Sequence, residues 1–131
     1  MKANNLSSAI ITNKIDECRE FYTNNFNAKI TFDCGWYLNM EFGEKTSSLQ
    51  FMSPQQPNQP ICEGNGLMYN FDVEDVDLEY KKLTKLGNQI IMPLENHPWG
   101  DRGFSILDPN GIMLYIYSIR EPAPEFKQYF K

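Results

Sequence analysis

The sequence is poor in the residues that most chemistry needs. It has one histidine, His97, and three cysteines, Cys18, Cys34 and Cys62. The cysteines are far apart, odd in number and form no C-x-x-C pair, which excludes a disulfide framework and a zinc knuckle. They read as reduced packing thiols, the commonest use of a free cysteine, and Cys34 has no histidine beside it in sequence to activate it. No apolar run approaches the ~20 residues that span a bilayer. The opening MKANNLSSAI has too short an apolar core for a secretory signal, so the expected location is the cytoplasm. Positive charge is also scarce. Twelve Lys and Arg face seventeen Asp and Glu, for a net charge of -5, against the basic stripe of a nucleic-acid surface. There is no G-x-S-x-G elbow, Walker loop or Rossmann glycine fingerprint.

What is present is a repeated grammar. With 131 residues, 41% hydrophobic and 22% charged, the chain fits one soluble globular domain over 1–131. A short apolar strand over 9–12 leads to Asn13, a favourable N-cap, and Ile15, Cys18, Tyr22 and Phe26 mark one helical face. A second strand over 67–73 leads to a helix with the stripe Val76, Tyr80, Leu83 and Leu86. Its acidic residues come first and its basic ones last, matching the helix dipole, and Gly87 is a natural stop. The two segments superimpose at an offset of 61 residues, with Ile15 over Val76 and Ile30 over Ile91.

Several short strands follow each helix: 28–33, 36–42 and 48–52 in the first half, and 89–93, 103–107 and 112–118 in the second. GEKT at 43–46 and DPNG at 108–111 read as hairpin turns. The expected class is α+β, with βαβββ twice: module 1 over about 5–53, a Pro-, Gln- and Asn-rich connector over 54–66, and module 2 over about 67–118. The Glu63 to Gly66 stretch belongs to the connector and has no phosphate role. The tail over 119–131, with its prolines and alternating charge, reads as an extended arm with Phe126, Tyr129 and Phe130 as anchors.

The strand after DPNG is apolar on both alternating rows: Ile112, Leu114 and Ile116 on one, Met113, Tyr115 and Tyr117 on the other. A strand with one wet face would alternate apolar and polar, so this one is expected to be covered on both sides.

The stretches IDECREFYTNNF, VEDVDLEYKKLTKLG and PWGDRGFSILDPNGIMLYIY, in that order and spacing, resemble the vicinal oxygen chelate superfamily of glyoxalases, bleomycin-resistance proteins and extradiol dioxygenases, over residues ~5 to 118. The resemblance implies two βαβββ modules with curved mixed sheets around a cavity and helices outside. The row of Ile112 would then be core and the row of Tyr115 cavity wall. Metal-dependent members carry His, Glu or Gln ligands on four strands. Carried over to this chain, those positions fall on Ser7, Gln50, Met68 and Tyr115, of which only Gln50 is a usual ligand. No metal, cofactor or catalytic residue is therefore expected.

The expected ligand-binding set is Trp36, Tyr37, Asn39, Gln50, Met68, Asn70, Trp99, Met113, Tyr115 and Tyr117, with the facing row of strand 36–42 left open. His97, beside a proline, is read as shaping a turn rather than as a base. Aromatic walls with a few polar groups suit a flat or amphipathic organic molecule. The favoured reading is a metal-free protein resembling the bleomycin-resistance members, sequestering an aromatic or cationic small molecule. A glyoxalase-like lyase or isomerase, a dioxygenase and an orphan module are the alternatives. The resemblance implies a homodimer, and neither nucleic acid nor membrane is an expected partner.

Overall fold

A computed structural model describes residues 1–44 and 47–131. The chain forms two compact units, Met1–Glu63 and Gly64–Lys131. In the first, β1 (Ser8–Ile11), α1 (Ile15–Phe26), β2 (Lys29–Asp33), β3 (Tyr37–Phe42) and β4 (Ser47–Met52) give a sheet of order β1-β4-β3-β2. In the second, β5 (Met68–Asp72), α2 (Val76–Lys85), β6 (Met92–His97), β7 (Asp101–Leu107) and β8 (Met113–Ile119) give the same order, β5-β8-β7-β6, before a short α3 (Pro124–Lys127). The helices begin at Ile15 and Val76, so the 61-residue offset read from the sequence is a structural repeat. The α+β class and the doubled βαβββ order are as expected. No helix among the described residues is long and apolar enough to cross a membrane.

In unit 1 the first strand runs parallel to β4, and β3 is antiparallel to both of its neighbours. Alternation then sorts the side chains. Leu38 and Met40 of β3, with Leu49 and Phe51 of β4, are buried under α1, while Tyr37, Asn39 and Gln50 lie on the other face. Of strand 36–42, Tyr37 and Asn39 share the face opposite the helix. Tyr22 is fully buried, with its ring 5.3 Å from Phe51 and 5.8 Å from Phe42. Of the GEKT turn, Lys45 and Thr46 lie outside the described residues.

Asn13 does not cap α1. The buried Thr12 accepts the Lys14 N–H at 3.0 Å, and this turn moves the cap to Lys14 and the helix start to Ile15. α2 follows its rules more closely. Asp75 is the N-cap and accepts from Leu78 N–H at 3.1 Å. At the other end Asn88 N–H reaches Leu83 O and Gly87 N–H reaches Thr84 O, the paired bonds of a Schellman ending. Val76 and Leu83 are buried, but Leu86 is exposed, since this ending carries it out of the stripe.

Unit 2 differs from expectation in two further places. The strand expected at 89–93 forms at Met92–His97, where its pairing with β7 through His97↔Asp101 fixes the register. The tail is not an extended arm. Arg120 N–H bonds Gly100 O and Ala123 N–H bonds Pro98 O, each at 2.8 Å, and the chain then turns into α3. Those two bonds pin the turn between β6 and β7. Tyr129 and Phe130 remain exposed, and Tyr129 sits edge-on to Phe126 at 6.3 Å.

Candidate functional site

The open face of the second sheet is built by three adjacent strands. β8 pairs in parallel with β5, so Asn70 lies beside Tyr115 and Asp72 beside Tyr117. On the other side β8 pairs with β7, setting Tyr115 opposite Ser105 and Tyr117 opposite Gly103. One row of β7, Arg102, Phe104 and Ile106, faces α2. Phe104 packs edge-on against Tyr80 at 5.2 Å, and Arg102 pairs with Asp77 at 3.0 Å. That leaves Asp101, Gly103 and Ser105 on the open face.

Gly103 makes the site possible. A methyl group there would sit 2.5 Å from both Cζ and Oη of Tyr115. With no side chain in the way, the Tyr115 ring slants across two positions of β7 from Ser105 toward Asp101. Its hydroxyl donates to Asp101 Oδ1 at 2.8 Å. The three-residue turn Pro98–Gly100 brings His97 back opposite Asp101, with Nδ1 2.7 Å from the same Oδ1 and 3.0 Å from the phenol oxygen. Trp99 donates its indole N–H to Oδ2 at 3.0 Å and stacks face to face on the His97 ring at 4.4 Å. Both ring nitrogens face carboxylates, Nδ1 toward Asp101 at 2.7 Å and Nε2 toward Glu95 Oε1 at 3.5 Å, and an acceptor as close as Asp101 Oδ1 calls for a proton on Nδ1.

Asp101 and Tyr115 are each 8% exposed and largely withdrawn from water, while Trp99 stays half-exposed beside them. Burial, then the hydrogen bond to Asp101 and the charge of that carboxylate, hold the Tyr115 phenol far above the ordinary tyrosine range. Tyr117 stacks on Tyr115 at 5.6 Å and is also raised, by burial first and then by Asp72 and Asp101. Beside the two rings lies a cleft of about 410 Å³, lined by Met68, Asn70, Met92, Trp99, Asp101, Tyr115 and Tyr117.

Five of the ten residues singled out from the sequence therefore meet at one cleft: Met68, Asn70, Trp99, Tyr115 and Tyr117. Met113 shares the row of Tyr115 but lies toward the DPNG end of β8, paired with Met68 and Leu107, and does not line the cleft. Tyr37, Asn39 and Gln50 belong to the sheet of the other unit, and Trp36 directly precedes its strand β3. There Gln50 donates to Asn39 Oδ1, and Asn39 donates to Thr31 Oγ1, each at 2.5 Å. Phe32, Tyr37 and Trp36 form an edge-to-face series near the end of β3.

Sequence reasoning missed Asp101 and Met92, and it misjudged His97. That histidine does shape the turn, its carbonyl accepting the Gly100 N–H at 3.2 Å, but it lies on a strand rather than in a loop and its ring has partners of its own. It ends β6 and is held between Trp99 and Asp101. The available signal was the spacing His-Pro-Trp-Gly-Asp, in which a tight turn places the first and last residues opposite each other.

The ligand positions implied by the resemblance do not fit a metal ion. Ser7 offers a hydroxyl and Met68 a thioether, and the amide nitrogen of Gln50 is spent on Asn39 and Ser48. Tyr115 offers a phenol that holds its proton and donates it to Asp101. Hard divalent ions need carboxylate, carbonyl or imidazole donors, which this set lacks apart from one amide oxygen. Among the described residues no three His, Cys, Asp or Glu side chains group in a way that could hold an ion.

Comparison with known proteins places this geometry. No curated protein matches the chain in sequence. Several solved structures match in shape. A glyoxalase/bleomycin resistance protein/dioxygenase from Nocardioides superposes with a TM-score of 0.73 at 17% identity, covering 95% of this chain and 89% of its own. A superfamily member from Sphaerobacter thermophilus gives 0.72 at 22% identity, with 89% and 98% coverage. A lactoylglutathione lyase from Agrobacterium tumefaciens gives 0.69 at 16%, with 90% and 96% coverage. At these identities the likeness is one of fold. A family model, in contrast, matches residues 6–116 directly, so the chain belongs to the Glyoxalase/Bleomycin resistance protein/Dioxygenase superfamily.

Proposed function

We propose that this protein binds an aromatic or cationic organic small molecule without a metal ion, and that the cleft on the second sheet is where the molecule sits. The observation that carries the reading is the wall of that cleft: the stacked Tyr115 and Tyr117 rings, the Trp99 indole and the Met68 and Met92 thioethers around about 410 Å³. Ligand cavities of this kind are apolar and aromatic with a few polar groups that set orientation. Methionine adds a polarizable surface that adapts to shape. Asn70 and Asp101 supply the polar groups here. The donor chemistry at Ser7, Gln50, Met68 and Tyr115 weighs against the metal-dependent lyases and dioxygenases of the superfamily.

The chain has two tryptophans, Trp36 and Trp99. In a Trp36→Phe protein the remaining emission reports on the cleft alone. Planar aromatic cations should quench it saturably and raise the melting temperature, since a ligand that prefers the native state stabilises it by mass action. Saturable quenching lost in Tyr117→Ala, with the fold retained, supports the cleft. A panel that leaves both emission and melting temperature unchanged refutes it. We also propose that the protein is a homodimer. Ile30, Phe32 and Trp36 stand exposed on and beside the edge strand β2, a patch of the sort that association covers. Sedimentation at low concentration decides between one chain and two.

A further inference from the structure

The cleft contains one buried charge, and its two oxygens are unequally used. Asp101 Oδ1 accepts from the Tyr115 hydroxyl at 2.8 Å and from His97 Nδ1 at 2.7 Å. Among the described residues Oδ2 accepts only the Trp99 indole N–H, at 3.0 Å. A carboxylate oxygen has room for two donors. Oδ1 is therefore filled, while Oδ2 keeps one open acceptor site among the described residues, on a side chain that lines the cleft. A protein donor could have filled it, but Arg102, the next residue, turns to the opposite face and pairs with Asp77.

The surroundings favour positive charge. The charges acting on the phenols that line the cleft are carboxylates: Asp101 and Glu95 at Tyr115, Asp72 and Asp101 at Tyr117. His97 does not reverse this. With two protons it carries one positive charge between Asp101 and Glu95, and the three groups together remain negative. With one proton they are more so. Beside the open acceptor stand the faces of Trp99, Tyr115 and Tyr117, and aromatic faces attract cations.

Resting on the binding function proposed above, we infer that the ligand carries a protonated amine with at least one N–H, which it donates to Asp101 Oδ2 while its aromatic part lies along Trp99 and Tyr117. The inference separates three chemistries that aromatic walls alone would accept. A neutral aromatic lacks the charge, and a quaternary ammonium has the charge but no N–H. Only an ammonium with at least one N–H satisfies both the acceptor and the field.

The test uses the full-length wild-type protein and three probes sharing one aryl group: naphthylmethylammonium, its N-trimethylated analogue and naphthylmethanol, titrated calorimetrically. The ammonium should bind about tenfold or more tightly than either other probe, the scale of a hydrogen bond to a charged acceptor. Asp101→Asn should reduce that preference to within about twofold. Equal affinity of the alcohol overturns the ionic anchor. Equal affinity of the trimethylated probe overturns N–H donation to Oδ2. Either result leaves the binding function standing. Failure of all three to bind the wild-type protein overturns the anchor and the binding function together. The wild-type comparison decides the matter even if Asp101→Asn does not fold.

Discussion

Gly103→Ala adds one methyl group and should cost this protein more than most core truncations of similar size. The new Cβ would lie 2.5 Å from Cζ and Oη of Tyr115 and 2.9 Å from the Ile116 carbonyl oxygen. Neither side can yield cheaply. The carbonyl belongs to β8 where it pairs with β7, Phe104 opposite Ile116. The ring is held by its bond to Asp101 and its stack on Tyr117. If the ring swings out, the protein loses a hydrogen bond to a charged acceptor, about 1.5–3 kcal/mol. If the backbone moves instead, overpacking costs about 1–3 kcal/mol. The entropic benefit of replacing glycine, about 0.4–1 kcal/mol, offsets part of either. The expected net loss is about 1.5 kcal/mol in urea unfolding. The cause is read from a cycle with Tyr115→Ala. In that background only the contact with the Ile116 carbonyl oxygen remains, so the loss should shrink by about 1 kcal/mol, and that difference is the coupling. A Gly103→Ala protein as stable as wild type, or the same loss with Tyr115 already removed, would refute the account of how Tyr115 reaches Asp101.

Tyr115 and Tyr117 should ionise above the ordinary tyrosine range in an ultraviolet titration. Both folded-state values are raised, so the stability they contribute is complete below the unfolded-state value near about 10 and is lost as pH climbs toward the folded values. Denaturant midpoints should therefore fall on the alkaline side, and a flat midpoint there would contradict the assignment. On the acid side, the Arg19 guanidinium hydrogen-bonds Asp33 at 2.7 Å and, with the Gly35 N–H, holds that carboxyl below its ordinary value. Its contribution is present above about pH 4 and fades as pH falls through the depressed value. Arg19→Met should move the Asp33 resonance midpoint up by NMR, and an unmoved midpoint would sink the pairing. Ser118 is buried, donates to Val73 O at 2.6 Å and accepts the first helical N–H of α2, from Val76, at 3.0 Å. Ser118→Ala strands that donor and should cost about 1–2 kcal/mol by denaturation, where a surface-like loss under 0.5 kcal/mol would mean the donor finds another partner.

The strands were legible because their spacing has a physical cause that sequence alone records. Leu38, Met40, Leu49 and Phe51 alternate with polar or smaller residues, and Ile112, Leu114 and Ile116 alternate with Met113, Tyr115 and Tyr117. Either pattern sorts by face once the period is two. Helix starts depended on context that a single position does not carry. Asn13 is a good cap by type, yet the Thr12 hydroxyl took the local N–H and moved the start to Ile15. The cluster at Asp101 was hidden for a different reason. It joins positions 97, 99, 101 and 115 through a tight turn, a strand pairing and a diagonal across a glycine. No periodicity in the sequence encodes the last of these.

The same diagonal explains why a tyrosine stands where the superfamily resemblance suggests an ion ligand. A carboxylate at position 115 would have to approach Asp101 with like charge, at a site where the two share a low-exposure wall. A phenol instead supplies the donor that Asp101 needs, provided nothing occupies position 103. Asp101, Gly103 and Tyr115 thus form one arrangement rather than three separate departures. The carboxylate requires a proton donor, the donor requires the path, and the path requires a residue without a side chain. Trp99 and His97 complete the arrangement from the turn, and Arg120 and Ala123 hold that turn through Gly100 and Pro98. The polar wall of the cleft is therefore built from the end of the chain as much as from the strands. Its ligand preference should respond to changes in the turn and the segment from Arg120 to Ala123 as readily as to changes in the rings themselves.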